Sequence, residues 1–217
     1  AAIVREPRTT ALWEGHLSGK GRGIGIIPIN EDNKCVWGCV DVDQYPLDHK
    51  VLVEKIRKLK LPLVVCRSKS GGAHCFLFTT EWVDAKDMQA TLQQISAALG
   101  YGGSEIFPKQ IKLHLDRDDV GNFLNLPYYD AEEGLRYAIK DDGTSATLEE
   151  FFELHESYKQ TPEQLMALQV GDPEEVSPMK DGPPCLQFLL KNKISEGGRN
   201  NGLFNIGVYL RKAYPDS

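Results

Sequence analysis

The sequence predicts an α+β fold, and three observations carry that prediction. Residues 36–43, Val-Trp-Gly-Cys-Val-Asp-Val-Asp, form a β-branched run with the period of two expected of a strand. Two stretches repeat apolar residues at helical spacing: Val51, Leu52, Ile56 and Leu59, then Met88, Leu92, Ile95 and Leu99. Short apolar runs at 63–67, 73–79 and 105–107 are bounded by glycine, serine or proline. In chain order, residues 36–107 therefore spell strand, helix, strand, strand, helix, strand, which is the ferredoxin-like split βαβ pattern.

Each element has a local cause. The polar residues 1–22 hold Trp13 and His16 and lead into Ser18-Gly-Lys-Gly-Arg-Gly-Ile-Gly25, a flexible loop with two cations, Lys20 and Arg22. It lacks the Gly-Lys-Ser/Thr order of a Walker A loop. Residues 24–29 read as a strand, 31–34 as a turn and 35–43 as its partner, a first hairpin. Asp48 caps the first helix and Pro62 closes it. Ser68-Lys-Ser-Gly-Gly72 is a turn, Asp84 opens the second helix, and Gly100 and Gly102 end it. Residues 122–126 read as another strand, ended by Pro127. Thr147 caps a helix over 148–154, with Glu149 and Glu150 at its positive end. Residues 1–155 thus form the core domain. Residues 156–184, with five prolines, read as a linker around one short helix, and 185–217 as a C-terminal segment of two helices. The chain begins without Met and stops straight after a helical pattern, so it reads as a fragment of something longer.

Composition sets bounds. At 217 residues and 41% apolar, the chain can bury a real core. Its 25 basic and 31 acidic residues give a net charge of -6, which argues against coating nucleic acid by bulk charge and leaves room only for a local basic groove. Five cysteines, with no Cys-x₂-Cys pair or Cys/His quartet, read as reduced thiols, and no zinc is expected. No apolar stretch reaches ~18 residues and no signal peptide opens the chain, so no membrane partner is expected and the location is read as cytoplasmic.

The split βαβ order has a geometric consequence. Its strands lie 4-1-3-2, with the third and fourth antiparallel to the first. The end of the first strand, with Asp41 and Asp43, then meets the start of the third, at His74, and of the fourth, at Glu105. Three carboxylates on one sheet edge can hold two divalent cations, Mg²⁺ or Mn²⁺, about 3.5 to 4 Å apart, as in-line phosphoryl displacement requires. Beside them Arg67-Ser-Lys-Ser-Gly-Gly-Ala-His74 supplies two cations, two hydroxyls, glycine amides and an imidazole, a set suited to a triphosphate. Asp116, Asp118, Asp119 and Asp130 are rivals for the third acid, ranked lower because they fall in loops. Taken singly, Asp-x-Asp also fits a solvated strand end, and His74 a half-buried structural histidine.

These residues resemble the archaeo-eukaryotic primase superfamily, in particular the primase-polymerases of phages and mobile elements. The likeness is carried by His16-Leu-Ser-Gly-Lys20 with 24–29 leading into Val40-Asp-Val-Asp43, by Arg67 to His74, by Glu105-Ile-Phe-Pro-Lys-Gln110, and by Gly121-Asn-Phe-Leu-Asn-Leu-Pro127. It implies an RRM-like catalytic half packed on a smaller N-terminal α/β half. By the resemblance, Asp41, Asp43 and Glu105 are the metal ligands, and His74 contacts the incoming nucleotide with Arg67, Lys69, Ser70 and Lys109. Two features depart from the pattern: Ser70 stands further from His74 than its counterpart in many relatives, and the zinc knuckle of many relatives is missing. The C-terminal segment, with Gly197-Gly-Arg-Asn-Asn201, resembles the helical part that follows the catalytic core in phage and plasmid primases. Arg199, Asn200 and Asn201, with Lys20 and Arg22, are its expected contacts to DNA and the starting nucleotide, and a helicase often follows in full-length relatives.

The resulting expectation is a primase-polymerase that uses two divalent ions, NTP or dNTP and a single-stranded DNA template to make and extend primers in DNA replication. A metal-dependent nuclease built on the same acids and a non-catalytic RRM-like nucleic-acid-binding module are the alternatives. The module would show aromatics where this strand shows acids.

Overall fold

A computed structural model of the protein describes residues 9–114, 116, 119–168, 170, 183–191, 204–209 and 211. The elements run α1 (Thr10–Leu17), β1 (Gly25–Ile26), β2 (Lys34–Val42), α2 (His49–Lys58), β3 (Val64–Arg67), β4 (Ala73–Asp84), α3 (Ala85–Ala98), β5 (Glu105–Phe107), β6 (Leu124–Asn125), α4 (Leu148–Tyr158), α5 (Pro162–Ala167) and α6 (Pro184–Lys191). The fold is α+β. Its main sheet has the order β3-β4-β2-β5, with β4 and β5 both antiparallel to β2, as the alternation of elements requires.

One face of this sheet is covered by α2 and α3. Asp48 caps α2 by accepting from the Val51 amide at 3.1 Å, and Leu52, Val53 and Ile56 pack inward with Val40, Val42, Met88, Leu92 and Ile95. Val51, expected on that face, is instead 57% exposed. Gly38 is where α3 rests on β2: a Cβ there would come within 2.5 Å of Leu92 and 2.7 Å of Met88.

The other face, which carries Asp41, is not open as the alternation alone suggests. A β-bulge between Cys35 and Trp37 inverts the period of β2, so Cys35 joins Val40 and Val42 while Trp37 and Cys39 turn to the second face. There Phe76 stacks on Phe78 with centroids 5.7 Å apart, and Phe151 of α4 packs on Phe78 and on Tyr128. The capping box of Thr147 and Glu150 fixes the start of α4, and the buried Tyr128 hydroxyl lies 3.0 Å from the carbonyls of Ala146 and Thr147.

Three expectations change. Residues 24–29 do not form a hairpin with β2: that strand is already flanked by β4 and β5, and Pro28 lacks an amide to extend a ladder, so β1 pairs with β6 instead. A turn does close at 30–34 through the Asn30 side chain, which accepts from Asp32 and Lys34. Residues 137–139, unassigned from the sequence, line the free edge of β3 through Arg67 N–H to Tyr137 O and Ile139 N–H to Val65 O, both 2.8 Å. Lastly, 156–168 is no loose tether: α4 runs to Tyr158, Thr80 donates to Gln160 O, and the capped α5 buries Leu165 against the core. Beyond it, α6 packs on α3.

Candidate active site

The site is assembled by strand register. Asp41 lies directly opposite His74 on one side and Glu105 on the other. Directly paired residues project to the same face, so Glu105, Asp41 and His74 form a row across three strands, with Asp43 just past the end of β2. Asp41 and His74 are 15% and 12% exposed, and His74 Nε2 stands 3.5 Å from Asp41 Oδ1, too far for a strong hydrogen bond. Asp41 Oδ1 is buried with no hydrogen-bond partner. Burial, and then the neighbouring Asp43 and Glu105 charges, push the Asp41 carboxyl up to about 6 against the pull of Lys109. Burial likewise drives His74 down to about 4, with Asp43 opposing and Arg136 assisting, so the imidazole is neutral at pH 7.

A desolvated, unsatisfied carboxylate beside a second one lacks positive charge. That is the donor set a divalent cation fits: hard oxygen ligands, of which Mg²⁺ needs only one or two from protein when phosphate oxygens complete the shell. Among the described residues no three His, Cys, Asp or Glu side chains already close around a point. Glu105 shares the row, but its carboxylate is 59% exposed and sits 2.7 Å from Lys109 Nζ.

Opposite the acids is a wall of backbone amides, hydroxyls and cationic side chains. The 68–72 turn is closed by Ser68 N–H to Gly72 O and by Gly71 N–H to Ser68 O, with Gly71 at φ +96°. It lies hard against the end of β2, because a Cβ on Gly72 would come 2.3 Å from Val42 O. The cleft between turn and acids has a volume of about 200 Å³ and is lined by Asp41, Asp43, His74, Ser68, Ser70, Arg67, Lys69 and Arg136, with residues 125–127 across from them. Arg67 donates to Leu135 O at 3.1 Å, yet among the described residues Arg67, Lys69 and Arg136 have no carboxylate partner. A chain of hydroxyls joins the two walls. Tyr45 Oη lies 2.8 Å from Asp43 Oδ1 and 2.5 Å from Ser70 Oγ, so Tyr45 donates to the carboxylate and accepts from the serine.

The structure thus brings together Asp41, Asp43, His74, Arg67, Lys69 and Ser70. Lys109 is drawn away to Glu105 and over the Phe107 ring, 5.0 Å from its centroid. Lys20 and Arg22 stay exposed on the glycine-rich loop, which Tyr129 Oη pins by donating to Gly19 O or Gly21 O. Among the rival acids, Asp116, Asp119 and Asp130 do not line the cleft, and Asp118 lies outside the described residues, as do Arg199, Asn200 and Asn201. Sequence reasoning missed Tyr45, Asn125 and Arg136. Arg136 carries no motif, and only the pairing of 137–139 with β3 brings it to the cleft. His16, 1% exposed, sets the far wall: its Nδ1 accepts from Ile24 N–H and its Nε2–H donates to Pro127 O.

Among the described residues no helix is long and apolar enough to cross a membrane. No curated protein matches the chain. A family model described as "TOTE conflict system, Archaeo-Eukaryotic Primase domain" matches residues 5–167 and so ends with the last residue of α5. With the match spanning the whole βαββαβ core and both walls of the cleft, the chain belongs to the archaeo-eukaryotic primase domain family of TOTE conflict systems.

Proposed function

We propose that this primase-like nucleotidyltransferase domain is a template-directed primase-polymerase that joins nucleoside triphosphates on single-stranded DNA. The observation that carries the reading is Asp41 Oδ1, buried and unpartnered among the described residues beside Asp43, facing Arg67, Lys69 and Arg136 across a cleft of about 200 Å³. Asp41 and Asp43 would hold the divalent ions, Mg²⁺ or Mn²⁺, with Glu105 joining them if it leaves Lys109. Bound there, the ions supply charge stabilisation to the entering and leaving oxygens. In the reaction the primer 3′ oxygen bonds to the α-phosphorus, the bond to the bridging oxygen breaks, pyrophosphate leaves with that electron pair, and the hydroxyl proton passes to water.

The residues of the cleft divide this work. Arg67, Lys69 and Arg136 take the charge of the triphosphate, and the 68–72 turn and its serines donate to phosphate oxygens. His74, neutral at pH 7, donates one hydrogen bond without adding a charge to repel the metal. A nuclease could use the same acids, but three cations around a glycine turn with no carboxylate partner among the described residues favour a triphosphate over water as the co-substrate. Calorimetry tests this: with Mn²⁺ present, a nonhydrolysable triphosphate should bind, and His74→Ala should weaken it roughly ten- to a hundredfold while Mn²⁺ binding alone changes little. Triphosphate affinity that is absent, or indifferent to His74→Ala, would remove the basis of the reading.

A further inference from the structure

The small β1/β6 ribbon ends at the cleft and shows an unusual outer face. The buried Leu124 of β6 alternates with the exposed Phe123 just before the strand and the exposed Asn125, and Asn125 lines the cleft. Gly25 pairs with Asn125, and its missing side chain makes room for the Phe123 ring: a Cβ on Gly25 would stand 2.3 Å from Phe123 Cδ2 and 3.1 Å from Cε2. The ring therefore lies on the Gly25 backbone and remains 44% exposed. Among the described residues it contacts no other ring, unlike Phe76, Phe78 and Phe151. Immediately before β1 the pinned loop carries Lys20 and Arg22, neither in an ion pair among the described residues. Gly23 of that loop lies against Tyr129 and Arg136, with a Cβ position 3.8 Å from the Arg136 guanidinium.

An aromatic ring resting on a glycine, one strand step (about 7 Å) from the cleft and next to a loop whose two cations form no ion pair among the described residues, matches what a single nucleic-acid strand requires. Every base has a π-face to stack, and the phosphates need cations alongside. We propose that the outer face of the β1/β6 ribbon is a base-stacking platform, on which Phe123 stacks a base of the single-stranded template while Lys20 and Arg22 hold its phosphates. The proposal rests on the primase-polymerase reading for the identity of the strand as template, but binding to the platform does not depend on catalysis. If the ring merely shields Gly25, its replacement by leucine leaves oligonucleotide binding unchanged. Stacking would not survive that change.

The experiment is fluorescence anisotropy of a labelled oligothymidylate, without metal or nucleotide. Phe123→Leu should weaken binding roughly tenfold, Phe123→Tyr should leave it near the wild-type value, and both should keep the wild-type circular dichroism and Mn²⁺ affinity. In Phe123→Trp the added oligonucleotide should quench tryptophan emission beyond the quench seen in the wild type. Lys20→Ala and Arg22→Ala should each reduce the salt slope by roughly 0.7. Phe123→Leu binding as well as the wild type, Phe123→Tyr failing with it, no extra quench in Phe123→Trp, or a wild type that ignores the oligonucleotide would each overturn the platform. If the oligonucleotide binds as expected but no nucleotide is joined with Mn²⁺, the platform stands and the proposed activity falls.

Discussion

At the scale of single residues, the site is a conflict between burial and charge, and the conflict has a pH signature. Burial raises the Asp41 carboxyl from an ordinary 3.8 to about 6, so the folded state binds its proton more tightly than the unfolded chain. The metal-free protein therefore loses stability as pH rises from about 4 to about 6. His74, lowered from 6.5 to about 4, acts the other way, and its penalty grows as pH falls through the same range. The two oppose each other in the wild type. In chelator, Asp41→Asn should raise the melting temperature by several degrees at pH 7.5 and by much less near pH 4, since holding that carboxylate charged in its buried place costs about 2 to 3 kcal/mol. An equal gain at both pH values would mean that Asp41 is not a desolvated carboxylate. The grouping of Asp41, Asp43 and His74 at one end of the sheet was legible in the sequence because the strand pattern fixes which residues share an edge. Arg136 could not, because its place depends on an irregular segment pairing with β3, and no periodicity announces that.

At the scale of elements, the 68–72 turn is the part with least tolerance. Its Gly72 packs backbone on backbone against Val42, so Gly72→Ala should displace the turn and abolish triphosphate binding while the βαββαβ core stays folded. Gly207→Ala, where nothing lies within 4 Å, is the neutral control. Calorimetry with Mn²⁺ and triphosphate reads the difference, and unchanged binding in Gly72→Ala would show that the turn does not hold the phosphates. Helices α2, α3 and α4 followed from local rules, and Asp48 and Thr147 bond the amides their positions predict, whereas the Asp84 side chain makes no capping bond and α1 falls in residues read only as polar and loop. The hairpin between residues 24–29 and β2 failed for a non-local reason, since pairing of β2 with both β4 and β5 leaves no edge. The bulge at residue 36 was equally hidden, and with it the second covered face.

At the scale of the whole molecule, α6 rests on α3, and Leu186 and Ile206 are buried, so the C-terminal helices are packed rather than free. Starting a primer means gathering two nucleotides and a template without a duplex, which an extra binding surface would assist. A chain ending at Pro178 should keep metal-dependent extension of a supplied primer and lose most de novo synthesis; undiminished synthesis would assign those helices to packing alone. The most direct test of the central claim is a primer-extension assay on single-stranded DNA with Mn²⁺ and labelled nucleotides, comparing the wild type with Asp41→Ala and Asp43→Ala. The wild type should extend the primer and both variants should be inactive while retaining the wild-type fold. Extension by either variant at the wild-type rate, or none by the wild type, would contradict a nucleotidyl-transfer site at this cleft.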